Sequence, residues 1–374
     1  MSAVAGPVTA APVQSTTVVM ASRSGVQVAS APIAAVDAVG LGGAFVAALV
    51  RTTLRAPWRG PASPLRNVAV ASTRELVRSL MGYMTSLPID EFRALESVLD
   101  DVSRAVLPPF VRAQRVKMTS SHVDGVPGLW FRTPDDRNPD REPIGTIVYL
   151  HGGGYIGTSP SMYALFMAHL ARVTRCEVFA PDYRLAPEFP YPAATQDIIT
   201  VMCTLIHDGT PQGRLFLAGD SGGGGLVGSV LNDCVLGGTP LPDAVVLFSP
   251  EVSLTLNEPL VSENAALDVL PWNVPTNPYL HGFDPRDPAV SLLHQDLSLW
   301  PPTFLAYGED EIFRDAIRAF HERLDDAGVR CEAHEVADMF RVFPFLLPWA
   351  QESRNVYHQV GEFIASVVDP AHKR

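Results

Sequence analysis

The spacing of apolar residues changes character near residue 115. Between residues 50 and 110 it is helical, with Ile89, Phe92, Leu95, Val98 and Leu99 on one repeating face. From 115 onward, short apolar runs at 146–150, 177–180, 215–218, 244–248, 303–307 and 331–336 alternate with helical stretches, among them 163–173, 222–236 and 315–327. Near-continuous apolar strands separated by helices predict an α/β architecture: a mostly parallel sheet covered by helices on both faces. Residues 251–290, rich in Pro and Asn, break the alternation and read as an excursion over the sheet. Residues 1–32 lack a sustained period and read as a mobile tail.

Residues 38–50 form an apolar run between Asp37 and Arg51, shorter than the ~20 residues that cross a bilayer. It reads first as a helix packed on the rest of the chain. The alternative, a helix lying on an anionic membrane surface, draws on Arg51, Arg55 and Arg59. Three glycines in the run (Gly40, Gly42, Gly43) weaken a free-standing helix there.

With 374 residues, of which 47% are hydrophobic, the chain is ample for one large core. A net charge of -12 excludes nucleic acid as a partner, because that polyanion needs a clustered basic face. Cys176, Cys203, Cys234 and Cys331 have neither CxxC nor metal spacing. Together with a start that lacks a basic n-region, they point to reduced thiols and a cytoplasmic location.

Gly219-Asp220-Ser221-Gly222-Gly223 satisfies G-x-S-x-G and follows an apolar strand. That context suits a nucleophile on a sharp strand-to-helix turn, with the helix N-terminus favouring negative charge beside Ser221. A Walker-type phosphate turn is excluded by the absence of its lysine. Trypsin-like GDSGG sites belong to all-β barrels, which the strand and helix alternation excludes. His151-Gly152-Gly153-Gly154-Tyr155 follows the strand at 146–150 and supplies backbone N–H groups that can approach an oxyanion closely.

With these two motifs, Asp182-Tyr183-Arg184-Leu185-Ala186-Pro187-Glu188 and Pro192-Ala193-Ala194, the chain resembles the hormone-sensitive-lipase-like family of α/β-hydrolases over residues 115 to 365. The resemblance implies an α/β-hydrolase fold: residues 115–374 as the catalytic domain, with a cap excursion at 251–290, and residues 33–114 as an N-terminal helical cap. It implies Ser221 as nucleophile, with the amides of Gly153, Gly154 and Gly222 as the oxyanion hole. His151 would orient the glycine turn, with Asp182 and Arg184 bracing it. The family's acid falls in Gly308-Glu309-Asp310-Glu311, at Glu311, with Asp310 the alternative one residue out of register.

The family's histidine position, in Met339-Phe340-Arg341-Val342-Phe343, holds Arg341. A guanidinium stays protonated and cannot serve as general base. It could instead pair with Glu311. His334, His281 and His358 are poorly placed to substitute. The implied activity is hydrolysis of a small ester or lactone by way of an acyl-enzyme, impaired at Arg341 and requiring no metal or organic cofactor. The alternatives are a catalytically silent relative that binds a small apolar ligand, and a scaffold whose N-terminal segment touches membrane.

Overall fold

The computed structural model describes residues 28–54, 64–134, 142–211, 213–255, 264–270 and 277–369. The expected tail lies outside these as far as residue 27, as do Arg55 and Arg59 and residues 256–263 and 271–276 of the excursion.

Four helices come first: α1 (Ala31–Leu54), α2 (Pro64–Met84), α3 (Ile89–Val106) and α4 (Pro108–Ala113). Asp37, Leu41, Ala48 and Thr52 are buried along one stripe of α1, which packs against α2 and α3. Gly40 permits the close approach, since a Cβ there would collide with the Tyr83 ring of α2. Val36, Val39, Val46, Leu49 and Val50 stay exposed. The length expectation for this segment is corrected. Residues Ala31–Thr52 form 22 helical residues, long and apolar enough by length and composition to cross a membrane, with 17% of that window buried. The run was underestimated because Asp37, an apparent polar boundary, lies inside the helix.

The remainder builds an eight-stranded sheet from β1 (Lys117–Val123), β2 (Val126–Arg132), β3 (Thr146–Leu150), β4 (Glu177–Pro181), β5 (Leu215–Asp220), β6 (Ala244–Phe248), β7 (Thr303–Gly308) and β8 (Cys331–Val336). The order is β1-β2-β4-β3-β5-β6-β7-β8, with the β1–β2 and β2–β4 pairings antiparallel and the others parallel. Helices α5 (Ala164–Thr174), α6 (Ala193–His207), α7 (Ser221–Gly237), α8 (Asn277–Leu280), α9 (Arg314–Asp326), α10 (Phe343–Leu346) and α11 (Gln351–Val368) follow in chain order.

Strand residues alternate between two cores. Leu215 and Leu217 join one core with α6 and α7, while Phe216 and Ala218 join the other with α5 and α11. Strands buried on both faces need apolar side chains at every position, which is why these runs lack polar alternation. From β3 the chain moves outward to β4, then crosses back to β5 on the other side of β3. At such a reversal the carboxyl ends of adjacent strands leave a crevice. Leu150 pairs with Gly219, so the glycine turn after β3 and the serine turn after β5 open side by side.

Candidate active site

Strand β5 passes directly into α7 at Ser221, whose backbone is left-handed with φ 52°. An L-residue held there is strained, and the surroundings must enforce it. A Cβ on Gly223 would collide with the Leu150 carbonyl, so that position admits only glycine if the turn is to rest on the end of β3. Gly222 sits against Gly154: a Cβ on it would lie 3.2 Å from the Gly154 nitrogen and 3.1 Å from that of Tyr155. A Cβ on Gly152 would lie 3.0 Å from the Ser221 Cβ. The structure thus brings Gly153, Gly154, Gly222 and Ser221 together. Gly153 and Gly154 take φ of 124° and 61°. Their amides donate to no protein acceptor among the described residues. As the second residue of α7, Gly222 has no intrahelical partner for its N–H.

Asp220 ties the two turns together. Its Oδ1 accepts the Gly152 amide and the Tyr149 hydroxyl, both at 2.9 Å, and its Oδ2 accepts the Tyr163 hydroxyl at 2.9 Å. Burial pushes its carboxyl up to about 6, against the opposing pull of these donors. The buried His151 stacks on Tyr183 at 4.4 Å, and its Nδ1 lies 2.8 Å from the Thr158 hydroxyl. Tyr183 and Ala186 of the same segment brace the turn. Tyr183 donates to the His151 carbonyl at 2.6 Å, and the Ala186 amide donates to the Tyr155 carbonyl at 3.0 Å. Arg184 turns to Asp197 and the Ala193 carbonyl at the start of α6. The side chains of this segment alternate in direction, which carries the guanidinium away from the turn.

Arg341 is 1% exposed. Its Nη2 and Nε donate to Ser221 Oγ at 3.0 and 3.3 Å, and its guanidinium carbon lies 4.5 Å from the centre of the Phe313 ring. Among the described residues no imidazole nitrogen bonds Ser221. His334 sits in β8 beside the Phe304 ring, while His281 and His358 are exposed.

Glu311 is fully buried, accepting the Gly308 amide at 3.3 Å. Asp310 turns away to Arg74 of α2, 2.9 Å distant. No ion pair joins Glu311 to Arg341, so the pairing expected from sequence is corrected. Burial pushes the Glu311 carboxyl up to about 8, the Arg341 charge pulling it down and Asp268 adding to the rise. A carboxyl that holds its proton at neutral pH offers a guanidinium little Coulombic gain.

Three buried polar residues were not singled out from sequence. Asp268, from the excursion, accepts the amides of Arg341 at 3.1 Å, Val269 at 2.7 Å and Ile312 at 2.9 Å, stapling the acid loop to the loop after β8. Ser249 accepts the Val342 amide at 2.9 Å, supporting that residue at φ 53°. Glu251, whose amide donates to the Ser221 carbonyl at 2.8 Å, is pushed up by burial to about 7, with Arg341 opposing. A lone acid or serine has no local pattern. Only the position of Ser249 and Glu251 just past the apolar run at 244–248 could have flagged them.

A family model for the alpha/beta hydrolase fold matches residues 147–345. The chain is 34% identical to an acetyl-hydrolase of Streptomyces hygroscopicus, over 60% of its own length and 77% of that protein. It is 28% identical to an esterase of Acinetobacter venetianus, over 73% of its length and 89% of the relative. Among solved structures, an esterase/lipase from an uncultured bacterium superposes with a TM-score of 0.71 at 26% identity, over 82% of this chain and 99% of that one. An esterase from the bacterial hormone-sensitive lipase family superposes with a TM-score of 0.68 at 29% identity, over 79% and 98%.

Proposed function

Because the chain belongs to the hormone-sensitive-lipase-like family of α/β-hydrolases, whose members are carboxylic-ester hydrolases, we propose that it is a serine ester hydrolase slowed at its proton-transfer step by Arg341. Ser221 is the nucleophile toward a small ester or lactone. The amides of Gly153, Gly154 and Gly222 receive the oxyanion, where preorganised donors are worth most. Glu311 is the acid, a reading supported by its burial and by the engagement of Asp310 with Arg74.

The observation that carries the reading is the pair of hydrogen bonds from Arg341 to Ser221 Oγ. Attack on a carbonyl carbon needs a free lone pair on Oγ and an acceptor for its proton. Arg341 occupies both lone pairs and accepts nothing. What remains is catalysis by the oxyanion cradle and by substrate positioning, about 10³–10⁴ over water in serine hydrolases that lack a triad member.

We assign α1 to the cap rather than to a bilayer, on the stripe it buries against α2 and α3. A cytoplasmic location fits the four free cysteines.

A fluorophosphonate probe tests this function, since it forms a bond only to an activated serine. The expected outcome is slow labelling of the natural chain, fast labelling of Arg341→His and none of Ser221→Ala. Labelling of the natural chain as fast as that of Arg341→His would contradict the proposal.

A further inference from the structure

Resting on the same site, we propose that it binds a small monocarboxylate as the missing counter-anion of Arg341. A buried guanidinium is ordinarily paired with an anion, because an uncompensated charge away from water is costly. Arg341 has no such partner: it bonds only the neutral Ser221 hydroxyl through Nε and Nη2, and its buried Nη1 bonds nothing among the described residues.

The acids facing it do not fill that place. Asp220 ends β5, Glu251 and Asp268 lie in the connection after β6 and Glu311 in the loop after β7, and none forms an ion pair with the guanidinium. Asp268 and Asp220 spend their oxygens on neighbouring amides and tyrosine hydroxyls.

Around Ser221 the unmet donors are Arg341 Nη1, the amides of Gly153, Gly154 and Gly222, and the Tyr155 hydroxyl, which is buried without a hydrogen-bond partner; Glu311 Oε1 is the acid oxygen buried likewise. The N-terminus of the long helix α7 adds its own positive end. Donors of this number and fixed geometry match an acceptor that is planar, two-oxygened and negative. A carboxylate meets that description, with one oxygen toward the glycine amides and one toward the guanidinium. A neutral apolar ligand would leave the cation and the amides as they are. Such an acid is also what ester hydrolysis leaves behind, so the site would hold its own product.

Titration calorimetry of the natural chain at fixed ionic strength, with butyrate and with the neutral isostere butyramide, tests this without any substitution. Saturable butyrate binding at least tenfold tighter than butyramide is expected, since charge-assisted hydrogen bonds are about twice as strong as neutral ones. Arg341→Met, checked for a native unfolding transition, should lose at least tenfold in butyrate affinity, and Arg341→Lys should recover only part of it. Equal affinity for the two ligands, or no butyrate binding, would overturn the proposal. The catalytic reading fails or stands separately. Arg341→His gaining ester hydrolysis while the natural chain ignores butyrate would remove the carboxylate site alone. Butyrate binding with no gain in Arg341→His would remove the slowed-hydrolase reading alone.

Discussion

An imidazole near neutral pH both gives and takes a proton, whereas a guanidinium only gives one. At position 341 that difference decides what Ser221 can do. General acid-base catalysis contributes ~10²–10⁴ to rate, which sets the gain expected on restoring an imidazole there. Glu311 carries a second expectation. Its carboxyl is held at about 8 against an ordinary 4.5. A group whose folded value is raised contributes its stability in full below the ordinary value and loses it as pH rises through the folded one. The natural chain should therefore lose on the order of 5 kcal/mol from this group between about pH 4.5 and pH 8. Glu311→Gln has no charge to acquire and should show a flatter profile. Urea unfolding of both proteins at pH 5 and pH 9 measures it; parallel profiles would contradict the assignment.

At the scale of elements, the excursion after β6 is held to the sheet's carboxyl edge by Asp268, with Asn264 donating to the Glu309 and Glu311 carbonyls beside it. Asp268 satisfies three amides from three stretches of chain, including that of Arg341. Asp268→Ala would leave those buried N–H groups unmet, at roughly 1–3 kcal/mol for each one that finds no water. A loss of about 3 kcal/mol or more in unfolding free energy is expected, with fluorophosphonate labelling also altered because the loop bearing Arg341 is freed. The α1–α2 contact makes a second test. Gly40→Leu would drive a side chain into Tyr83 and should cost ~1–3 kcal/mol by overpacking, without changing the reactivity of Ser221.

Over the whole molecule, the parallel strands from β3 to β7 were legible because strands covered on both faces are apolar along nearly their whole length. The β1–β2 hairpin was not. Lys117–Val123 is half exposed and polar, and Val126–Arg132 carries Pro127 and Gly128, so neither shows the signature of a buried strand. The serine and glycine turns were readable because backbone that approaches backbone closely admits little but glycine. The partner of Arg341 was not readable. Spacing locates the residue, but whether it meets Glu311 or Ser221 depends on loop geometry fixed by Asp268 and Ser249, which lie 73 and 92 residues away in the chain (341 − 268 and 341 − 249). All of these features converge on whether Arg341 restrains a nucleophile that is otherwise ready. The most direct measurement is kcat/KM for p-nitrophenyl butyrate in the natural chain, Arg341→His and Ser221→Ala. The account predicts a rise of about 10² or more in Arg341→His over the natural chain, and loss of activity in Ser221→Ala. A natural chain that already turns over as fast as Arg341→His would contradict it.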